Sequence, residues 1–229
     1  MSVEYFYEAL GRKIKRYLSG FIGLEDLQDE VVGTIHPPPP RLLVSSSPRL
    51  PLSPSPMTLF PLLQPDLVLG GSVLDLTLEI LERNQIKGLV LDVDDTIVPI
   101  GIDLARPELT RWVEQIKKIG PLWLVTNNPS QVRIGAIAES LSVPYFHSAA
   151  KPSRRKLRQA VAAMSIDPSQ VAMVGDRLFT DVLAGNRLGM FTILIEPIVD
   201  EESVIGFQAI RSVEFAIARA LGISLAAKK

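Results

Sequence analysis

The 229-residue chain contains no cysteine, which excludes disulfides and thiolate-held metals and fits a cytoplasmic setting. It also lacks a strong charge of either sign. Lys and Arg number 24 against 25 Asp and Glu, a formal net charge of -1, whereas a general nucleic-acid binder would be basic. No unbroken apolar run reaches about 18 residues, so no transmembrane helix is expected. The opening stretch "MSVEYFYEALGRKIKRYLSGFIGL" has no continuous apolar core of the kind a signal peptide needs. What the chain does have is 47% hydrophobic residues, enough for one sizeable core.

Its prolines are unevenly spread. Ten of the 18 fall between residues 37 and 65. Pro and Ser at that density cannot sustain helix or sheet ladders, so residues 37–56 are expected to be a disordered linker. Residues 1–36 are then an N-terminal extension. Val3, Phe6, Tyr7, Leu10, Ile14, Tyr17 and Leu18 would lie on or near one face of a short basic amphipathic helix there, which is expected to be a marginal helix without a role, with a membrane surface or a partner the alternative. Residues 57–229 read as the folded domain. That contrast makes Met57 a candidate natural start, with residues 1–56 a translated upstream stretch.

After Met57, strand and helix patterns alternate. Apolar strands are expected at Gly88–Leu91, Leu122–Val125, Val143–Phe146, Val171–Val174 and Phe191–Ile195. Pro107 suits a first helical turn that leads to Leu109, Trp112, Val113 and Ile116. Ser153 is placed to cap a helix that turns Leu157, Ala160, Val161 and Met164 inward. Another helix should run from about Phe179 to Leu188 and stop at Gly189. The pattern predicts an α/β, Rossmann-like, doubly wound fold with a mainly parallel sheet and helices on both faces. Ligands of such folds bind beyond the carboxyl ends of the strands.

Those ends are where the polar groups gather. The first strand runs into Asp92-Val93-Asp94-Asp95-Thr96, and the second into Thr126-Asn127-Asn128. Lys151-Pro152 follows the third, and Gly175-Asp176-Arg177, with Asp181 beyond, the fourth. Each group alone has a bland reading as a cap or turn. Four in order, each after a buried strand, point to a site.

Asp92 and Asp94, two apart on an extended chain, share a face. Carboxylates clustered without His or Cys suit Mg²⁺. A carboxylate there can attack phosphorus, while a second one serves as acid and then base. Lys151 and Thr126 would stabilise the transferring group. Asn127 and Asn128, beside Thr126, join it as candidate substrate contacts.

The stretches "LDVDDT", "LVTNN", "AKP" and "VGDRLFTD" resemble the four motifs of the haloacid dehalogenase (HAD) superfamily. The resemblance covers about residues 58–197. It implies Asp92 as nucleophile and Asp94 as acid/base, the latter also reaching Mg²⁺ through its carbonyl. Thr126 and Lys151 would hold the phosphoryl group, and Asp176 would ligate the metal. Asp181 matches a position that varies in the family between metal contact and support. "LVTNNPS", "VGDRLFTDVLAGNRLGMFTILIEP" and "PDLVL" are similar to subfamily IIIA phosphatases of the YqeG type, whose organellar relatives are phosphatidylglycerophosphate phosphatases. Asp95 departs from the Asn or Gly common in relatives, and the Pro-rich N-terminal segment is not part of the family pattern.

The spacing bears on substrate. Only 29 residues separate Thr96 from Thr126, and 24 separate Thr126 from Lys151. Neither interval leaves room for a separate cap domain, so the site should be open to a large phosphate ester. An anionic phospholipid is the favoured substrate, with protein, nucleotide and small-metabolite phosphates as alternatives. The basic run "KPSRRKLR" suits peripheral contact with an anionic membrane, or else is the solvated face of an ordinary helix. The C-terminal residues Val204, Phe207, Ile210, Val213, Ile217 and Leu221 have helical spacing. They are expected to pack on the core, with lipid contact the alternative. A receiver-like module is disfavoured by the acid two residues after the nucleophile. A scaffold of negligible activity is the remaining non-enzymatic reading.

Overall fold

The computed structural model describes residues 61–99, 106–198, 214–220 and 222–227. The expected N-terminal helix, the linker and Met57 lie outside the described residues. So do most of the apolar positions of the C-terminal segment.

Six strands form one sheet: β1 (Leu67–Val68), β2 (Gly88–Leu91), β3 (Leu122–Val125), β4 (Tyr145–Phe146), β5 (Val171–Gly175) and β6 (Phe191–Leu194). Their order is β1-β6-β5-β2-β3-β4, and every pairing is parallel. Parallel neighbours need crossovers. Helices α1 (Leu78–Arg83), α2 (Pro107–Ile116), α3 (Gln131–Leu141), α4 (Arg155–Met164) and α5 (Leu183–Leu188) lie between successive strands. A further helix, α6, covers 214–220.

Period-two alternation in the strands sorts the core into two layers. Leu89 and Leu91 of β2 join Trp112, Val113 and Ile116 of α2 and Ile134, Ile137 and Leu141 of α3. Val90, between them, faces the other way, toward Leu157, Ala160 and Val161 of α4 and Ala184 of α5. Each Leu, Ile or Val side chain among them, when fully buried, contributes roughly 1.5–3 kcal/mol of transfer free energy. The doubly wound fold expected from the sequence is the fold observed.

Local differences have local causes. β4 is shorter than expected because Pro144 has no N–H for a ladder, although its carbonyl still accepts from Leu124 N at 2.9 Å. Ser153 does not cap α4. Arg154 occupies that position, and the Ser153 hydroxyl meets Arg155 N only at 3.4 Å. The helix expected from Phe179 is divided into a π turn, Leu178–Val182, and α5, which ends at Gly189 with φ of 75°. β1 is a two-residue edge strand, too short to leave a periodic signal.

From β2 the chain steps outward through β3 and β4, then returns to place β5 on the other side of β2. The crevice beyond the ends of β2 and β5 is therefore the topological switch point. Among the described residues, α2 alone stands between β2 and β3, and α3 alone between β3 and β4. Neither interval carries an inserted cap there.

Candidate active site

β2 delivers Asp92 to the switch point, where its N–H extends the ladder to Val174 O at 3.0 Å. The next residues curl tightly. The N–H groups of Thr96, Ile97 and Val98 all converge on the Val93 carbonyl at 3.0–3.3 Å, and the Val93 side chain is fully buried. Asp95 makes the turn with φ of 59°, a left-handed conformation that Asn, Asp and Gly tolerate best. Its N–H donates to Val98 O at 2.8 Å, and its carbonyl accepts from Ile198 N at 2.7 Å. The Thr96 hydroxyl donates to Asp176 Oδ1 at 3.2 Å, tying the β2 loop to the end of β5.

Asp176 follows β5, and the π turn that comes next carries Asp181 back over it. Gly175 makes this possible, because a Cβ there would collide with the Asp181 carboxylate. Arg177 N donates to Asp181 Oδ2 at 3.2 Å. Asp92, Asp176 and Asp181, all buried, each present a carboxylate oxygen within 4.8 Å of the others.

Lys151 is 2% exposed, on the loop beyond β4. Its ammonium donates to Val125 O at 2.8 Å and lies 2.6 Å from Asp181 Oδ1 and 2.8 Å from Asp92 Oδ1. The buried Asp176 Oδ2, in contrast, has no hydrogen-bond partner.

One ammonium against three buried carboxylates leaves an excess of negative charge. Burial pushes the Asp92 carboxyl up to about 6; Lys151 opposes the rise and Asp181 adds to it. Asp176 is raised well above the ordinary carboxylate range by burial, then by Asp181 and Asp92. For Lys151, burial alone would lower the ammonium, but Asp181 and Asp92 outweigh it and hold it above its usual value. Buried, all-oxygen donors with excess negative charge and an unpartnered Asp176 oxygen fit a hard divalent cation.

Thr126, at the end of β3, is buried, and its hydroxyl accepts from Asn128 N at 3.1 Å. Asn127 uses both ends of its amide on the main chain of Lys151, accepting from N at 2.6 Å and donating to O at 3.0 Å. Asn128 Nδ2 donates to Asp94 Oδ2 at 2.8 Å. Both side-chain amides that the sequence grouped with the substrate are thus engaged with protein. The Asp94 carboxylate stands outside the three-acid cluster and pairs with Arg133 Nη1 at 2.6 Å.

Nothing in the sequence tied Arg133 to Asp94. The one available signal was an Arg on the first turn of the helix after "TNNPS". Glu214 of α6, buried and paired with Arg177 at 3.3 Å, left no motif at all.

The carboxyl-terminal part of this site, residues 148–200, matches a family model described as "HAD-hyrolase-like". A protein of Bacillus subtilis named "Probable phosphatase YqeG" is 33% identical over 134 residues, which span 58% of this chain and 78% of that protein. The chain belongs to the haloacid dehalogenase (HAD) superfamily. It is a phosphatase of that superfamily. The HAD chain is also similar to phosphatidylglycerophosphate phosphatase 1 of Chlamydomonas reinhardtii, with 29% identity over 58% of this chain and 53% of that one. For the Arabidopsis thaliana protein of the same name the figures are 25%, 61% and 42%. The chain spans about half or less of the length of these two relatives.

Proposed function

We propose that this HAD phosphatase hydrolyses a phosphomonoester through a phosphoryl group carried on Asp92, with a phosphatidylglycerophosphate-type lipid as substrate. The observation that carries the reading is one buried point where the Asp92 carboxylate meets the Lys151 ammonium at 2.8 Å beside Asp176 and Asp181.

An Asp92 oxygen attacks phosphorus, and the bond from phosphorus to the alcohol oxygen breaks. Asp94 gives that oxygen its proton. A water then attacks the phosphorus and loses its proton to Asp94. The bond from phosphorus to the Asp92 oxygen breaks, phosphate departs and the carboxylate is regenerated. Lys151 holds positive charge beside the transferring group, and Asn127 fixes the Lys151 main chain. The Thr126 hydroxyl adds a hydrogen bond to a phosphoryl oxygen. Asp92, Asp176 and Asp181 would hold Mg²⁺, with the Asp94 carbonyl as a further donor; when bound it offsets the carboxylate charge and that of the phosphoryl oxygens.

The lipid assignment draws support from the names of the algal and plant relatives and from intervals with no inserted cap among the described residues. No helix among the described residues is long and apolar enough to cross a membrane. Contact with an anionic bilayer surface would be made through the exposed Arg155 and Arg158 of α4. Lys156 is half-buried, with its ammonium 4.7 Å from the Phe146 ring centre.

The test is phosphate release from phosphatidylglycerophosphate in mixed micelles, with Mg²⁺ or with chelator, beside protein, nucleotide and sugar phosphates. Mg²⁺-dependent turnover with preference for the lipid is expected. Faster turnover of any of the others would overturn the substrate assignment.

A further inference from the structure

Both oxygens of the Asp94 carboxylate are engaged by one short stretch of chain. Arg133 Nη1 donates to Oδ1 at 2.6 Å, and Asn128 Nδ2 donates to Oδ2 at 2.8 Å. The two donors are themselves linked. Asn128 Oδ1 accepts from Ser130 N at 2.9 Å, and the Ser130 hydroxyl caps α3 by accepting from Arg133 N at 3.3 Å. Arg133 Nη2 donates to Pro99 O at 3.1 Å, bracing the far side of the loop that carries Asp94. A carboxylate three residues beyond a strand end has several rotamers open to it; this arrangement selects one.

Stability gives little reason for the pair. Helix α3 already has a side-chain cap and four buried apolar residues. The pair is largely buried, with side chains 11% and 19% exposed, and replacing such a pair by apolar groups is often neutral or even stabilising, so its presence is weak evidence of a stabilising role. Proton transfer, in contrast, requires the donor oxygen within hydrogen-bond reach of the departing oxygen, and a loosely held carboxyl forfeits much of the rate.

We propose that Arg133 is a positioning residue for the acid/base carboxylate of Asp94. The charge-assisted bond from Arg133 is the stronger of the two and fixes Oδ1. Oδ2, held only by a neutral amide, is the oxygen that exchanges its partner for the leaving alcohol. When the phosphorus–alcohol bond breaks and the alcohol takes the proton, Asp94 becomes a carboxylate already paired with the guanidinium. This inference rests on the reading of Asp94 as the acid.

Leaving-group chemistry separates positioning from structure. p-Nitrophenolate departs readily without a proton, whereas the alkoxide of glycerol phosphate does not. First-turnover release of each alcohol by rapid mixing should be compared in wild type, Arg133→Ala, Arg133→Gln, Arg133→Lys and Asp94→Asn, with thermal unfolding run on each. Arg133→Ala and Arg133→Gln should slow glycerol release about 100-fold or more while leaving p-nitrophenol release within about threefold. Arg133→Lys should recover part of the loss.

Equal slowing of both substrates in the folded Arg133 variants, with discrimination retained in Asp94→Asn, would overturn this inference alone. Equal slowing in Asp94→Asn as well would overturn the acid role of Asp94 and this inference together.

Discussion

Lys151 Nζ and Asp92 Oδ1 lie 2.8 Å apart, at the ends of chain segments 59 residues distant in sequence, and both are buried. The pair sits between two further acids, so Lys151 is the only cation among the described residues in ion-pair contact with that cluster. Its removal leaves buried carboxylates without compensation. Lys151→Ala should lower phosphate release by about 100-fold or more. It should also destabilise the chelated protein by about 3–5 kcal/mol, the usual cost of breaking a buried pair, measured by urea unfolding.

Asp92→Asn should abolish turnover yet leave a folded protein. Its stability should depart from wild type in a pH-dependent way. The Asp92 carboxyl is raised from 3.8 to about 6. A raised carboxyl contributes its stability fully below the unfolded value and loses it as pH rises through the folded one. In chelator, wild type and Asp92→Asn should therefore converge near pH 4. Above pH 6 the variant should be the more stable, by on the order of 2–3 kcal/mol. Paired urea midpoints at several pH values check this; a variant less stable than wild type at pH 7.5 contradicts it.

Gly175→Ala tests the close approach of the π turn to β5. The added methyl meets the Asp181 carboxylate, so Asp181 must move away from Lys151 and Asp176. Activity should fall by an order of magnitude or more, and the rise in thermal midpoint on adding Mg²⁺ should shrink.

Glu214→Gln tests the brace behind the metal-binding loop. Glu214 is raised by burial and opposed by Arg177, whose guanidinium it accepts at 3.3 Å. A neutral amide keeps the shape and loses the charge. The Mg²⁺ concentration for half-maximal thermal stabilisation should rise about tenfold, the scale of effect that supporting residues have on metal sites.

Much of this architecture was legible because two signals coincide. β2 and β3 appear where their apolar runs are, and α2 where Pro107 opens a helical period. Asp92, Thr126, Lys151 and Asp176 could be placed near one another because a parallel sheet puts all its strand ends on one edge. What failed to show depends on side-chain direction. Nothing in "TNNPSQVR" says that Asn127 turns to the Lys151 main chain while Asn128 and Arg133 turn to Asp94. The π turn was hidden because its apolar spacing also fits an ordinary helix. Asp95 became interpretable only once its left-handed backbone was known.

The central claim is that Asp92 carries the phosphoryl group. The most direct test is to incubate the protein with Mg²⁺ and a phosphomonoester, quench it during turnover, reduce it with borohydride and map the peptides by mass spectrometry. An acyl phosphate is reduced to the alcohol, so the account predicts homoserine at position 92 and nowhere else, dependent on substrate. Reduction at another acid, or unmodified Asp92 during rapid turnover together with active Asp92→Asn protein, would contradict it.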